Sequence, residues 1–170
     1  MDEYTHPCQK TVAIFLRYQD KILFLHRHAG KKVDPDKLSC VGGRVETNEN
    51  FLGAAIRETR EETGYQLKPP NFHFAGLEVI HDYVPLDWII GVFIADVSSL
   101  EIPLGSSVED GKLLWLTSQD FAKYSGQTVD DLQYLSKDIF QPSGIFFFTA
   151  KYNQLQKIIK SSISYQKIDY

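Results

Sequence analysis

Strands interrupted by helices predict a layered domain of the α/β or α+β class. Three observations carry that prediction. Apolar or alternating runs recur at residues 11–18, 21–27, 72–83, 88–97, 112–116 and 145–152, each of strand length. A helical period of ~3.6 residues runs through the stretch behind Glu49. The 170 residues are enough to bury one sizeable core. One domain over residues 1–170 is expected, with residues 1–8 a loose arm.

The elements follow in order. Residues 11–18 read as a strand and 21–27 as its hairpin partner across Gln19-Asp20. Residues 29–37 form a polar loop before a short strand at 38–41. Cys40 on that strand reads as core, because no His or Asp stands at nucleophile spacing. Gly42-Gly43 lets backbone approach a ligand closely. After Tyr65, Pro69-Pro70-Asn71 breaks the chain before the strand 72–83. Pro85-Leu86-Asp87 reads as a turn, and the apolar run 88–97 as a central strand. Residues 98–111 are a loop holding Glu101, Glu109 and Asp110. The strand 112–116 carries Trp115. Residues 119–124 and 129–140 look helical, and 145–152 is a strand. The tail from Leu155 suits either a helix or one face of a strand.

Composition excludes several classes. A net charge of −4 leaves no electrostatic footprint for duplex nucleic acid, though a local positive site could still hold a nucleotide. Cys8 and Cys40 have no C-x-x-C spacing. The start, MDEYTHPC, lacks the basic and apolar regions of a secretory signal, and no apolar run approaches a membrane span. A cytoplasmic protein with no membrane partner is expected. The oligomeric state is open.

The chemistry concentrates in residues 43–65, GRVETNENFLGAAIRETREETGY. On a helix, Leu52, Ala55, Ile56, Thr59 and Thr63 share one apolar stripe. Glu58, Glu61 and Glu62 share a second, roughly 120° away, with Arg57 and Arg60 on the opposite flank of the first. Three like charges a turn apart repel by a few tenths of a kcal/mol per pair. A hard divalent cation on carboxylate oxygens would offset this. A solvated surface face is the plain alternative for a bare R-E-x-x-E-E.

The whole stretch resembles the Nudix box, G-x5-E-x7-R-E-U-x-E-E-x-G-U, with U a bulky apolar residue. Gly43, Glu49, Arg57, Glu58, Glu61, Glu62 and Gly64 all match in type and spacing. Seven such matches at a given start are on the order of one in 10^8 by chance. Thr59 departs, standing where an apolar residue is usual; Val41 stands before the glycine pair where Pro is usual. Asn48 replaces a frequent Gly and tolerates left-handed backbone. Weaker similarity to the MutT-like branch covers most of the chain.

The resemblance implies an α+β fold arranged as an α/β/α sandwich, with a mixed sheet, a loop-helix-loop box and a closing strand after Asn153-Gln154. It implies Glu58 and Glu62 as principal metal ligands, with Glu61 assisting and the Gly42 carbonyl contributing. Arg57 would orient a carboxylate, and Glu49 would tie the loop to the helix. Arg27, in His26-Arg27-His28, matches an Arg that contacts substrate phosphate; a weak zinc pair and plain polar strand-end residues are the other readings of that tripeptide. Glu109 matches a loop carboxylate that supports catalysis, against a reading as a solvated loop charge. The general base is left unassigned among the carboxylates. The cofactor implied is Mg²⁺, with Mn²⁺ as the other candidate.

The activity implied is hydrolysis of a nucleoside diphosphate linked to another group. A nucleoside triphosphate, oxidised guanine nucleotides included, cleaved to monophosphate and pyrophosphate is favoured. Tyr83, eighteen residues after the box, keeps dinucleoside polyphosphates as the enzymatic alternative. A non-catalytic nucleotide-sensing domain is the alternative of another class, disfavoured because no box carboxylate is lost.

Overall fold

A computed structural model describes residues 7–83, 86–155 and 157–167. The strands are β1 (Cys8–Tyr18), β2 (Lys21–Arg27), β3 (Leu38–Ser39), β4 (Val41–Arg44), β5 (Phe72–Tyr83), β6 (Leu86–Asp96), β7 (Ser107–Val108), β8 (Gly111–Leu116), β9 (Ile145–Tyr152) and β10 (Ile158–Gln166). The helices are α1 (Phe51–Thr63), α2 (Ser118–Ala122) and α3 (Leu132–Phe140). Among the described residues the strands form one mixed sheet, ordered β10-β9-β5-β6-β1-β2-β8-β7, with β3 on β2 and β4 on β1.

Strand β1 is buried on both faces from Thr11 to Leu16, and past Thr11 that stretch is apolar throughout. Val12, Ile14 and Leu16 pack with Ala54 and Ala55 of α1. Ala13 and Phe15 face the other way, into a core holding Leu132, Leu135 and Ile139 of α3. Helices therefore cover both faces of the sheet, giving the α/β/α sandwich.

One edge of β1 runs parallel to β6 from Cys8↔Asp87 to Arg17↔Asp96. The other edge is shared. Its first part pairs with β4, from Thr11↔Arg44 to Ile14↔Val41, and its end with β2, at Arg17↔Ile22 and Tyr18↔Lys21. The sheet divides there, and the division opens a cleft beside β4.

Most elements stand where periodicity puts them, and the differences have local causes. The expected arm is strand from Cys8 onward, because β6 extends far enough to pair with it; residues 1–6 lie outside the described residues. Leu86 and Asp87, expected in a turn, belong to β6, and Pro85 lies outside the described residues. The expected strand 38–41 divides at Cys40, since Leu38–Ser39 pairs with β2 and Val41 with β1. The second late helix starts at Leu132 rather than Val129, capped by the Asp131 side chain on Leu132 N–H at 2.8 Å. The tail is strand β10, antiparallel to β9.

Candidate active site

Helix α1 has clear local causes. Asn50 caps it, its side chain accepting from Gly53 N–H at 2.8 Å. Gly64 ends it at φ 81°, and its N–H donates to Arg60 O. A side chain at Gly64 would also strike Leu104 and Pro103. Asn48 adopts φ 67°, the left-handed conformation its type tolerates. Ala54, Ala55, Thr59 and Thr63 are buried, while Leu52 and Ile56 are only partly so. The buried stripe is therefore turned toward Ala54 relative to the sequence reading. That rotation brings Glu58 and Glu62 against the loop of β4 rather than into open solvent.

Glu62 Oε2 accepts a 3.2 Å hydrogen bond from Gly42 N–H. Burial pushes its carboxyl up to about 7; Glu58 and Asp110 add to the rise, while the Gly42 bond and Arg27 oppose it. Glu58 lies against Gly43, where an added Cβ would sit 2.1 Å from Glu58 Oε1. A side chain at Gly43 would displace that carboxylate from its place.

Arg57 is the hub of the box. Its guanidinium donates to Glu49 Oε1 (3.2 Å) and Oε2 (3.0 Å), Glu58 Oε1 (2.7 Å), Glu61 Oε2 (3.1 Å) and Arg44 O (2.8 Å). The flanking position assigned to Arg57 by helix period understates its reach, because a guanidinium on a long stem spans a full turn. Glu49 also accepts from Glu46 N–H at 3.1 Å, closing the loop onto the helix. The hydrogen bonds from Arg57 hold the Glu49 carboxyl below its ordinary value.

A cleft of about 520 Å³ runs beside this corner, within the range of small-molecule sites. Arg27, Gly42, Gly43, Glu62 and Asp110 line one part of it. Arg27 Nε donates to Val33 O at 3.2 Å. Asp110 pairs with Lys31. Glu109, the loop carboxylate expected at this corner, is exposed and is not on the cleft wall; its neighbour Asp110 is. Glu109 and Asp110 are the two residues of the tight β7–β8 turn, between the paired Val108 and Gly111.

In the other part of the cleft, Tyr83 is the one residue that the sequence singles out. That part is walled by Asp34, Glu78, Tyr83, Trp88, Asp131 and Tyr152, among others. Glu78 had a legible signal: it is a lone acid on the buried face of a strand, in phase with Ile80. Asp131 had none beyond its helix-capping type. Cys40 is held as an inert thiol, its pKa pushed up to about 12 chiefly by burial.

Oxygen donors of this kind suit a hard divalent cation. Among the described residues they are not gathered into a cluster of three acidic or His/Cys side chains at metal spacing. Arg57 instead neutralises Glu49, Glu58 and Glu61.

Residues 8–136 match the family model of the NUDIX domain. The chain belongs to the Nudix family. An uncharacterised Nudix hydrolase of Bacillus subtilis, YvcI, is 28% identical over 152 residues, covering 86% of this chain and 91% of that one. In structure the chain is similar to a MutT protein of Bacillus halodurans, with a TM-score of 0.76 at 18% identity over 92% of this chain and 97% of that one. It is also similar to a bifunctional NMN adenylyltransferase/ADP-ribose pyrophosphatase of Francisella tularensis solved with AMP and a Mn ion. There the TM-score is 0.59 at 19% identity, over 80% of this chain and 43% of that one. These structural likenesses establish a MutT-like Nudix fold. No helix among the described residues is long and apolar enough to cross a membrane.

Proposed function

We propose that this Nudix protein hydrolyses a phosphoanhydride in a nucleoside diphosphate linked to another group, using a divalent cation. A nucleoside triphosphate, cleaved to monophosphate and pyrophosphate, is the favoured substrate. One observation supports this above the rest: a single cleft joins Gly42, Gly43 and Glu62 of the box, with Arg27, to an aromatic end. That is the shape of a site for a phosphate chain and a base.

Glu58 and Glu62, with Glu61 and the Gly42 carbonyl, would hold the cation, Mg²⁺ or Mn²⁺. A bound cation would neutralise phosphate oxygens and acidify a water. The chain's own groups do the rest. Arg57 fixes the directions of Glu49, Glu58 and Glu61. Arg27 would pair with a phosphate oxygen. Glu62 is held by Gly42 N–H, and its carboxyl, raised to about 7 by burial, would be kept ionised by a bound cation. Asp110 takes the supporting loop role in place of Glu109, because it is the one on the cleft wall. Water adds to phosphorus, the bridging P–O bond breaks and pyrophosphate leaves. The water's proton passes to a carboxylate of the cluster.

A second reading, dinucleoside polyphosphate hydrolysis, draws on Tyr83. It lines the cleft beside Trp88 and Tyr152, where a second base could stack. The test is incubation with Mg²⁺ or Mn²⁺ and a panel of nucleoside triphosphates, oxidised dGTP, dinucleoside polyphosphates and ADP-ribose, with products identified by mass. Release of monophosphate and pyrophosphate from a triphosphate, abolished by excess chelator, is expected. Absence of hydrolysis of every member, or undiminished hydrolysis in chelator, overturns the reading.

A further inference from the structure

The chain between β2 and β3 reaches both parts of the cleft. Arg27, at its start, lines the part with Glu62, and Val33 and Asp34 line the wall further on, toward Tyr83 and Trp88. Arg27 N–H closes the base of this loop, donating to Lys37 O at 3.0 Å. The middle of the loop is turned back onto the arginine, whose Nε donates to Val33 O at 3.2 Å. A guanidinium has five N–H donors. Among the described residues only the Nε–H of Arg27 has a partner, so both Nη groups are left to a ligand.

Asp34, next to Val33, is held from two sides. The Tyr83 hydroxyl donates to its Oδ2 at 2.6 Å, and Lys37 Nζ donates to its Oδ1 at 2.7 Å. Both are charge-assisted bonds, which are short and strong. The Asp34 and Lys37 side chains are only 20% and 23% exposed, so little water competes for them. Each partner is fixed in turn. Trp88 Nε1 donates to Tyr83 O at 3.1 Å, and Lys37 Nζ also reaches Asp130 Oδ1 at 3.4 Å. Asp34 has φ 46°, a left-handed conformation that Asp tolerates and that its surroundings must hold. The hydroxyl that holds it comes from the end of β5, forty-nine residues along the chain.

Resting on the phosphate role proposed for Arg27, we infer that Asp34 is a positioning residue for that arginine. Tyr83 and Lys37 fix Asp34, and Asp34 fixes the chain at Val33. The Val33 carbonyl then holds the Arg27 guanidinium with its Nη groups free for a phosphate. An arginine held before the ligand arrives loses less side-chain freedom on binding. As a bare charge Asp34 would act the other way, since an acid beside a phosphate chain repels it. The two roles therefore differ in sign.

The experiment measures kcat and KM with the triphosphate that wild type hydrolyses best. Asp34→Ala should raise KM about fivefold or more and leave kcat within about threefold. Tyr83→Phe keeps the ring and removes one of the two holds, so it should raise KM about twofold to fivefold. Arg27→Ala should raise KM at least as much as Asp34→Ala does. The deciding variant combines the two. Residues that act through one another are non-additive, so adding Asp34→Ala to Arg27→Ala should change KM by less than about twofold. If Asp34→Ala fails to fold, the same cycle runs with Tyr83→Phe. A fall in KM on removing Asp34 would show a repelling charge and overturn the inference. Multiplicative effects in the combined variant, or an unchanged KM in both Asp34→Ala and Tyr83→Phe, would overturn it too. Calorimetric titration with inorganic pyrophosphate in excess chelator reads the arginine without turnover. Binding that Asp34→Ala weakens, and weakens no further once Arg27 is gone, with no triphosphate hydrolysed, sinks the catalytic reading and keeps this one. Hydrolysis with multiplicative effects does the reverse. No hydrolysis, and no pyrophosphate binding that Asp34→Ala weakens, sinks both.

Discussion

Gly42 N–H donates to Glu62 Oε2 at 3.2 Å, joining the glycine loop to the helix twenty residues later. The bond places a half-buried carboxylate at the mouth of the cleft instead of in solvent. Glu62→Gln keeps an acceptor for Gly42 and removes the charge. Turnover of the best substrate should fall roughly 10²-fold or more, with little change in melting temperature. A folded variant within about threefold of wild type would take Glu62 out of the mechanism.

Asp110 and Glu109 are adjacent, yet only Asp110 is on the cleft wall. Asp110→Asn should lower kcat/KM about tenfold or more, and Glu109→Gln should stay within about twofold of wild type. The opposite ranking would return the role to Glu109. No loss in either variant would remove the loop from catalysis.

Thr59 is 0% exposed, and its Oγ1 has no hydrogen-bond partner. Thr59→Val keeps the shape and removes the unsatisfied hydroxyl. Stability should rise by about 1 kcal/mol, read as a higher urea midpoint at unchanged slope. Thr59→Leu adds volume at a closed site, so it should gain less than Val or lose stability. A lower midpoint for Val would show that the hydroxyl finds a partner in solution.

Arg17 donates to Asp96 at 2.7 and 3.0 Å, and His73 lies 2.9 Å from the same carboxylate. The Arg17 hydrogen bonds hold the Asp96 carboxyl below its ordinary value of 3.8. A depressed carboxyl contributes stability above its unfolded pKa and loses it as pH falls through the folded one. Asp96→Asn should therefore cost about 0.2–1 kcal/mol at pH 7, in the range of partly exposed ion pairs, and the gap should close below pH 3.8. Chemical denaturation at pH 7 and at acid pH checks it; a gap independent of pH would show that the charge is not what matters.

What the sequence determined by itself is local. Helix α1 and its acidic stripe follow from spacing, because a 3.6-residue period maps sequence directly onto faces. Strand β5 and strand β9 have the bounds that apolar alternation predicts, 72–83 and 145–152, since a period of two marks a half-buried strand. Family membership rests on the same local pattern.

What only the tertiary structure decided lies where no period holds or where distant segments meet. Neither residue type nor spacing says which of Glu109 and Asp110 faces inward; the β7–β8 turn does. The rotation of α1 that half-buries Glu62 depends on packing Ala54 and Ala55 against β1. Glu78 in a mid-sheet strand and Asp131 at the cap of a helix more than fifty residues on meet on one cleft wall, a proximity that neither position signals alone. Burial and proximity belong to the folded chain, and there they hold the Glu78 carboxyl well above its ordinary value.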